Sequence, residues 1–403
     1  MNTSLPSPAI HYSPHPVLVP QPGVEWADTM VLNPTVIDEP GTRRLHMLFR
    51  ASGPWPQARI PGKPLPYPIF LGYAHSDDGG RSWEADFSRP CLAPRLATAP
   101  EALRIAGRSG NSVVNHANGC IEDPRLFRLD GKCYVTTACR LFPAGPYWEK
   151  DSPMQCAPDW AAEDAHALGR AARENLTVSV LFEVRLDALS AGQYDDAFRY
   201  VAHLTDPARG DNRDVVLFPE KLRIEGRERY VALHRPKESD GYCEAGLPPS
   251  IFAAASDSLE EFPAPSTRHR LVAAPLFEWE GDRIGASWTP IRLGEDEWLL
   301  PCHGKQDAKV GYTQSFMILK TDGDGWPCVA HRCPVRLMFA RQKWELKGRF
   351  PTPCLFTCGG VVLDGELIMT YGAADTVCGL AWANFDELVR IVRQFDENGN
   401  TYE

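Results

Sequence analysis

The sequence predicts an all-β protein folded as a single five-bladed β-propeller, and three observations support this prediction. Glycine (32 residues) and proline (36 residues) are abundant in the chain of 403 residues, and aromatic residues make up 10% of it. Many turns combined with many aromatic residues are typical of short strands. Third, a hairpin followed by one or two further strands occurs five times, as in propeller blades. A large β-sandwich is the alternative, but a sandwich does not repeat one motif five times.

The repeats follow one another after a proline-rich start. Residues 1–28 predict an extended arm, and residues 29–395 predict one domain that holds all five blades. The turns carry DGK, EGRE, GEDE or DGE, which are hairpin signals. The hairpins are expected at 31–50, 124–140, 215–235, 289–303 and 354–371, with further strands at 70–83, 177–188, 251–262, 314–323 and 378–388.

A helical insertion interrupts the second repeat at residues 141–176. Its segment 158–173 is rich in alanine and has an aspartate near its start, which favours a helix. We expect this insertion to pack over one face of the propeller disc.

Charge and motifs exclude several classes of partner. The chain has 42 basic and 52 acidic residues, a net charge of −10, which argues against nucleic acid or an anionic membrane as the main partner. No stretch approaches the ~18 apolar residues of a membrane span. The first residues lack the features of a secretory signal, so we expect a cytoplasmic protein. Nucleotide-binding glycine motifs, HExxH and GxSxG are absent from the sequence.

The 12 cysteines are expected to be reduced and mostly buried, because the chain is long and shows no short disulfide framework. Cys354 and Cys358 form a CxxxC pair, but they lie in the apolar run CLFTCGGVV. Core thiols are therefore expected there rather than a metal site. We expect no metal and no organic cofactor.

Polar side chains recur at the ends of the repeating strands, where a propeller brings them to the mouth of its central channel. They carry both charges, with several cations, which suits a sugar together with an anion. These residues are Asn33, Arg50, Asp123, Arg125, Arg140, Lys221, His234, Arg235, His303, Tyr371 and Asp375.

Four motifs resemble the signatures of glycoside hydrolase family 130. In order they are GCIEDPRLFRLDGKCYV, DNRDVVLFPEKL with ALHRP, PCHG, and TYGAADTVCGLA, spread from about residue 30 to residue 390. Each motif alone is weak, but four in the right order are strong together. The resemblance implies a five-bladed propeller that phosphorolyses or hydrolyses β-mannosides.

The resemblance also implies a general acid, Asp123 of EDPR, which protonates the departing sugar oxygen through a hydroxyl of the mannosyl unit. Glu122 is its neighbour in an extended strand, so we expect Glu122 to face the opposite side. The family's contacts to mannosyl hydroxyls match Asn33, Arg50 and Asp375.

Further residues are expected around the same cavity. Lys221 of FPEK and His303 of PCHG are expected to line it. The resemblance implies that phosphate is held at Arg213, Arg235 and Tyr312. Asp214 stands where the family's phosphorylases have asparagine, so it would have to turn away from phosphate or pair with an arginine.

The first functional hypothesis is an inverting β-mannoside phosphorylase that uses inorganic phosphate as co-substrate and an oligosaccharide as substrate. The second is an inverting β-mannosidase, with Glu220 as one candidate base. The third is a glycan-binding propeller without catalysis. Tyr147, Trp148 and Trp160 of the insertion are expected to wall the acceptor side. The linkage, the acceptor sugar and any homo-oligomer are left open by the sequence.

Overall fold

The computed structural model describes residues 8–53, 67–143, 158–163, 166–239, 241–242, 246–348 and 353–402. Five antiparallel sheets of four or five strands succeed one another along the chain, one for each blade. The predicted five-bladed β-propeller is therefore confirmed. In the described residues, no helix is both long enough and apolar enough to cross a membrane.

The first two blades follow a short strand that belongs to the last blade, β1 (Ile10–Tyr12). Blade one contains β2 (Met30–Asp38), β3 (Leu45–Ser52), β4 (Phe70–Ser76) and β5 (Glu84–Asp86). A separate hairpin follows, formed by β6 (Arg104–Ala106) and β7 (Ser112–Val114). Blade two contains β8 (Cys120–Leu129), β9 (Lys132–Arg140), β10 (Val178–Val184) and β11 (Phe198–His203).

The remaining blades repeat this order. Blade three contains β12 (Asn212–Leu217), β13 (Leu222–Ile224), β14 (Arg227–Pro236), β15 (Ile251–Ser256) and β16 (Arg268–Ala273). Blade four contains β17 (Arg283–Ala286), β18 (Ile291–Gly294), β19 (Glu297–Lys305), β20 (Tyr312–Thr321) and β21 (Pro327–Arg332). Blade five contains β22 (Leu355–Leu363), β23 (Glu366–Ala373) and β24 (Val377–Asn384), with β1 at its edge.

The start of the chain closes the propeller. Strand β1 pairs with β24, with Ile10 opposite Ala383 and Tyr12 opposite Ala381. The predicted arm therefore includes the outermost strand of blade five. This pairing ties the two ends of the chain together within one sheet.

The hairpin turns have the backbone that their sequences predict. Asp130 and Gly131 have φ angles of 49° and 72°, and Asp364 and Gly365 have φ angles of 51° and 80°. Two consecutive positive φ angles are the mark of a type I′ turn, in which glycine carries no side-chain penalty. The acidic–glycine turn signals are confirmed at these hairpins.

Helices are short and lie between strands. The insertion contains α1 (Trp160–Glu163) and α2 (Ala167–Arg173), within the stretch predicted to be helical. Four further short helices were not predicted from the sequence: α3 (Leu186–Ser190), α4 (Tyr194–Ala197), α5 (Lys343–Leu346) and α6 (Phe385–Val392). Helix α6 begins at an asparagine cap, since the Asn384 side chain accepts a hydrogen bond from the backbone N–H of Glu387.

Apolar side chains fill the spaces between neighbouring blades. Phe218 of blade three and Trp298 of blade four, for example, meet edge to face with their ring centroids 5.2 Å apart. In the described part of the chain every cysteine is a free thiol, and Cys354 and Cys358 are both buried. The core therefore holds the blades in fixed positions around the centre.

Candidate active site

The first strand of each blade is its inner strand. In four of the five blades this strand (β2, β8, β12 or β22) contains a shift in register. The shifts lie between Leu32 and Thr35, Glu122 and Arg125, Arg213 and Val216, and Thr357 and Gly359. In the first three blades the bulge holds a polar residue with positive φ: Asn33 (49°), Asp123 (50°) and Asp214 (54°). A bulge redirects a side chain out of the regular alternation of a strand. The propeller thereby brings these three side chains to its centre.

Asp123 lies in a set of hydrogen bonds that favour its ionised form. Its Oδ1 accepts from Asn33 Nδ2 at 2.7 Å and from Arg50 Nη1 at 3.0 Å. Burial alone would raise the pKa of this carboxyl, but Arg50, Arg125 and the hydrogen bond from Asn33 together hold the pKa below its usual value. Asn33 and Arg50, both predicted from the sequence, thus contact Asp123 directly.

Glu122 does not face away from Asp123, so that prediction was wrong. Its Oε2 lies 3.1 Å from Arg50 Nη1, the same nitrogen that contacts Asp123. The bulge that follows Glu122 is the reason, because neighbouring residues alternate sides only in a regular strand. One guanidinium is therefore shared by two adjacent carboxylates.

Arg125 is the central connection of the site. It is only 1% exposed. Its Nη1 donates to the Asp123 carbonyl oxygen at 2.9 Å, its Nη2 to Asp214 Oδ1 at 3.0 Å, and its Nε to the Ser287 carbonyl oxygen at 2.8 Å. The guanidinium carbon also lies 6.0 Å from the ring centroid of Phe356. Arg125 thus links blades two, three, four and five.

Asp214 is bound by three cationic or hydrogen-bonding groups. Besides Arg125, its Oδ2 accepts from Arg235 Nε at 2.5 Å and lies 3.0 Å from His303 Nε2. Burial opposes ionisation, but Arg235, His303 and Arg125 hold the pKa of Asp214 well below its usual range. Asp214 is therefore paired with arginine, which is one of the two arrangements expected from the sequence.

His303 supports Asp214 and does not line an open cavity. The side chain is fully buried, with Nε2 on Asp214 and Nδ1 3.2 Å from Ser287 Oγ. Burial lowers its pKa although Asp214 acts in the opposite direction. The expectation that His303 lines the sugar cavity is corrected accordingly, since its two nitrogens are occupied by protein groups.

A group of cations gathers beside Tyr312. Arg283 Nη1 lies 3.5 Å from Tyr312 Oη and interacts electrostatically with Arg213. Lys305 Nζ lies 5.7 Å from the centroid of the Tyr312 ring. Arg213 is directly opposite Arg235 in the pairing of β12 with β14. We call Arg213, Arg283, Lys305 and Tyr312 the cationic group.

Sequence reasoning missed two members of the cationic group. Arg283 begins β17 in the segment GDRIGAS, and Lys305 ends β19 directly after PCHG. These residues are opposite each other in the pairing of the two strands. The sequence did contain a signal for them, because each is a basic residue at the end of a strand in blade four, like the residues that were predicted in the other blades.

Asp375 lies on the Asp123 side of the site. Burial raises the pKa of its carboxyl, Arg50 lowers the pKa, and Asp123 raises the pKa further. The Cys354 thiol hydrogen-bonds this carboxyl. Asp375 has a φ of 47°, so its backbone lies in the left-handed region, as do those of Asn33, Asp123 and Asp214. The structure thus brings Asn33, Arg50, Asp123 and Asp375 together.

Lys221 and Glu220 lie at the opposite end of blade three. Lys221 Nζ sits 4.5 Å from the ring centroid of Tyr230, and Tyr230 Oη donates to Asp130 in a hairpin turn of blade two at 2.7 Å. Lys221 therefore does not line the cavity, contrary to the prediction. The chain crosses the disc along β12 before it reaches FPEK, so Lys221 lies on the face opposite to Arg213.

Glu220 has partners on this same far end. It accepts a hydrogen bond from Trp298 Nε1 at 3.0 Å and pairs with Arg292. Trp298 is near the start of β19, whereas His303 and Lys305 are at its end. The candidate base of the hydrolase hypothesis is therefore far from Asp123.

The described part of the insertion packs on the loops beside blade two. Trp160 Nε1 donates to the Thr98 carbonyl oxygen at 2.8 Å, and its ring meets Phe142 edge to face. Tyr147 and Trp148 lie outside the described residues. Near the end of the insertion, the Asn175 carbonyl oxygen accepts from Arg140 Nη1 at 2.6 Å. The insertion thus reaches the charged residues around Glu122, since Arg140 Nε lies 3.4 Å from Glu122 Oε1.

Comparisons with known proteins agree with this architecture. The family model for glycoside hydrolase family 130, described as beta-1,4-mannooligosaccharide phosphorylase, matches residues 165–394. A 1,2-beta-oligomannan phosphorylase from Thermoanaerobacter sp. (strain X514) is 26% identical over 92% of this chain and 95% of its own length. A beta-1,4-mannooligosaccharide phosphorylase from Ruminococcus albus is 31% identical over 45% of this chain and 51% of its own length.

A solved structure has the same fold. The beta-1,2-mannobiose phosphorylase from Listeria innocua superposes with a TM-score of 0.65 at 18% identity, covering 95% of this chain and 99% of that one. The family model matches residues 165–394, which is more than half of the chain. We conclude that this chain belongs to glycoside hydrolase family 130.

Proposed function

We propose that the protein is an inverting β-mannoside phosphorylase. Inorganic phosphate attacks the anomeric carbon of a non-reducing-end β-mannosyl unit, the bond from that carbon to the glycosidic oxygen breaks, and the oxygen receives a proton that Asp123 supplies. The products are α-mannose 1-phosphate and an oligosaccharide shortened by one unit. The three relatives that match are all named as phosphorylases of β-mannosides, which supports the reaction class.

The cationic group is the observation that carries this proposal. Phosphate must be held beside acidic residues, so it needs several donors of positive charge. Arg213 and Arg283 interact with each other electrostatically, and Arg283 contacts the Tyr312 hydroxyl. Both guanidinium groups also pair with carboxylates, Arg213 with Asp211 and Arg283 with Asp282, and a phosphate beside them would be a further partner for their charges. Arg235 is buried against Asp214, so we assign it to the support of the anion site as well as to phosphate.

Hydrolysis needs a second carboxylate to activate water, and the candidates support it poorly. Glu220 pairs with Arg292 and Trp298 at the other end of the blade. Asp214 is 3% exposed and enclosed by Arg125, Arg235 and His303, so a water has little access to its oxygens. Asp375 interacts with Asp123, on the side of the acid. Phosphate, which is already a nucleophile, removes the need for such a base.

The acid must carry a proton when the sugar leaves, although Arg50 and Arg125 favour its ionised form in the free protein. Binding of phosphate at the cationic group adds negative charge to the site and so favours protonation of Asp123. Asn33, Arg50 and Asp375 are proposed to bind the hydroxyls of the mannosyl unit. Paired hydrogen bonds from such planar groups reject sugars whose hydroxyls point elsewhere. We also propose that the protein acts in the cytoplasm.

The test is to incubate the protein with β-1,2-linked and β-1,4-linked mannobiose, with and without phosphate, and to identify the products. Relatives are named for both linkages, so both are needed. We expect mannose 1-phosphate with phosphate and negligible turnover without it. Equal cleavage without phosphate that releases free mannose would replace this proposal with the β-mannosidase. Binding of either disaccharide without any cleavage would instead favour the non-catalytic propeller.

A further inference from the structure

Arg50 serves two carboxylates at once. Its Nη1 lies 3.0 Å from Asp123 Oδ1 and 3.1 Å from Glu122 Oε2. Glu122 is 7% exposed, so water does little to screen its charge from Arg50. A negative charge held on the same guanidinium opposes the field that this guanidinium exerts on Asp123.

The other carboxylate oxygen of Glu122 contacts a second arginine, Arg140. This atom, Oε1, lies 3.4 Å from Arg140 Nε, and Arg140 is 3% exposed. The charge of Arg140 also lowers the pKa of Asp211, whose carboxylate accepts from Arg213 Nε at 2.8 Å. Positive and negative groups thus alternate from Asp123 through Arg50, Glu122, Arg140 and Asp211 to Arg213. Glu122 is the only carboxylate of this series that shares a cation with Asp123.

We propose that Glu122 is a positioning residue that holds Arg50 and limits how strongly Arg50 stabilises the ionised form of Asp123. This inference rests on the proposed function, because it concerns the strength of Asp123 as the acid of that reaction. With Glu122 present, part of the positive charge of Arg50 is offset and Asp123 keeps more affinity for a proton. Without it, the whole charge of Arg50 acts on Asp123, and less of the protonated acid is present at a given pH.

Other groups also act on Asp123, and the test leaves them unchanged. Arg125 lies on β8, Asn33 on β2 and Asp375 just after β23. The Cys358 thiol on β22 also interacts with Asp123, and burial raises the pKa of that thiol well above its ordinary value, so it carries no charge. Asp214 on β12 acts through Arg125, which binds both residues.

The experiment compares two substrates with Glu122→Gln, at saturating phosphate. Cleavage of mannobiose needs an acid, whereas a dinitrophenyl β-mannoside has a leaving group that departs without a proton. We expect kcat on mannobiose to fall about tenfold, the effect of a shift of one pKa unit, while kcat on the dinitrophenyl substrate stays within about twofold. The Glu122→Asp variant keeps the charge and should regain most of the lost activity. Glu183→Gln is the matched control, since Glu183 pairs with Lys132 at the surface of the same blade.

Equal losses on both substrates would overturn the inference, because a merely structural role of Glu122 would disturb sugar binding for both. If Glu122→Gln does not fold, Arg140→Gln provides the test, since it leaves Glu122 to act on Arg50 alone. The ratio of mannobiose to dinitrophenyl turnover should then rise, and an unchanged or lower ratio would overturn the inference. The wild-type products are identified first. Free mannose without mannose 1-phosphate refutes the proposed phosphorylase, whereas phosphorolysis with an unchanged ratio refutes only the role of Glu122.

Discussion

Asp123 and Asp214 occupy the same position in adjacent blades, and one arginine binds both. Each lies within the register shift of its inner strand and has a positive φ, and Arg125 donates to the Asp123 carbonyl oxygen and to Asp214 Oδ1. The Asp214 side chain is 4% exposed and surrounded by three donors, whereas the Asp123 side chain is 16% exposed. The repeat therefore places one partly accessible carboxylate, the proposed acid, and one enclosed carboxylate at equivalent positions.

Replacing the acid should remove catalysis without unfolding the protein. Asp123→Asn keeps the size of the side chain but cannot supply a proton, so we expect kcat on mannobiose to fall by about 10²–10⁴. Steady-state kinetics and a thermal melt measure the two effects. A folded variant with near-normal activity would contradict the assignment. Asp130→Asn, in a distant hairpin turn, is a suitable control.

Replacing Arg213 should mainly weaken phosphate binding, whereas replacing Arg235 should mainly lower the stability of the fold. The Arg213 side chain is 29% exposed and that of Arg235 is 4% exposed. Arg213→Ala is expected to raise the KM for phosphate at least tenfold with little change in Tm. Arg235→Ala leaves buried Asp214 with one cation fewer, which costs about 3–5 kcal/mol of the free energy of unfolding. Phosphate-dependent kinetics and chemical denaturation test this contrast, and equal Tm changes in both variants would refute it.

The two lysines at opposite ends of the disc form a matched pair. Lys305 lies above Tyr312 in the cationic group, whereas Lys221 lies above Tyr230 on the far end. We expect Lys305→Ala to raise the KM for phosphate severalfold and Lys221→Ala to leave kcat and both KM values unchanged. A larger effect from Lys221→Ala would mean that the site lies on the other face.

Asp214 should make stability depend on pH. Its folded-state pKa is well below the usual value, because Arg235, His303 and Arg125 outweigh the effect of burial. A depressed folded pKa contributes stability above the unfolded pKa of about 3.9, and that contribution is lost as pH falls from there towards the folded pKa. The free energy of unfolding should therefore fall below about pH 4.

Denaturant titrations at several pH values measure this dependence. Asp214→Asn cannot ionise, so its curve should lose the contribution of this residue and be flatter on the acid side. A variant curve parallel to that of the wild type throughout would show that Asp214 does not contribute. Asp195→Asn is the control, because Asp195 is an exposed aspartate that pairs with Arg89.

The sequence by itself determined the fold class and the residues around Asp123 in the candidate site. Strand patterns and acidic–glycine turns are local, so they could be read without the structure, as at Asp130–Gly131. The motifs also led to Asp123, and Asn33 and Arg50 do contact it. The sequence could not show that Ile10–Tyr12 completes blade five, because its partner strand lies more than 360 residues away along the chain.

Only the tertiary structure decided which side chains face the centre and what they touch. A register shift reversed the expected direction of Glu122, and the far end of β12 removed Lys221 and Glu220 from the site. The pairing of β17 with β19 brought Arg283 beside Lys305. In each case the direction of a side chain depends on strands that are distant in sequence. Local pattern therefore predicts the blade, whereas the packing of blades around Arg125 determines the chemistry at their centre.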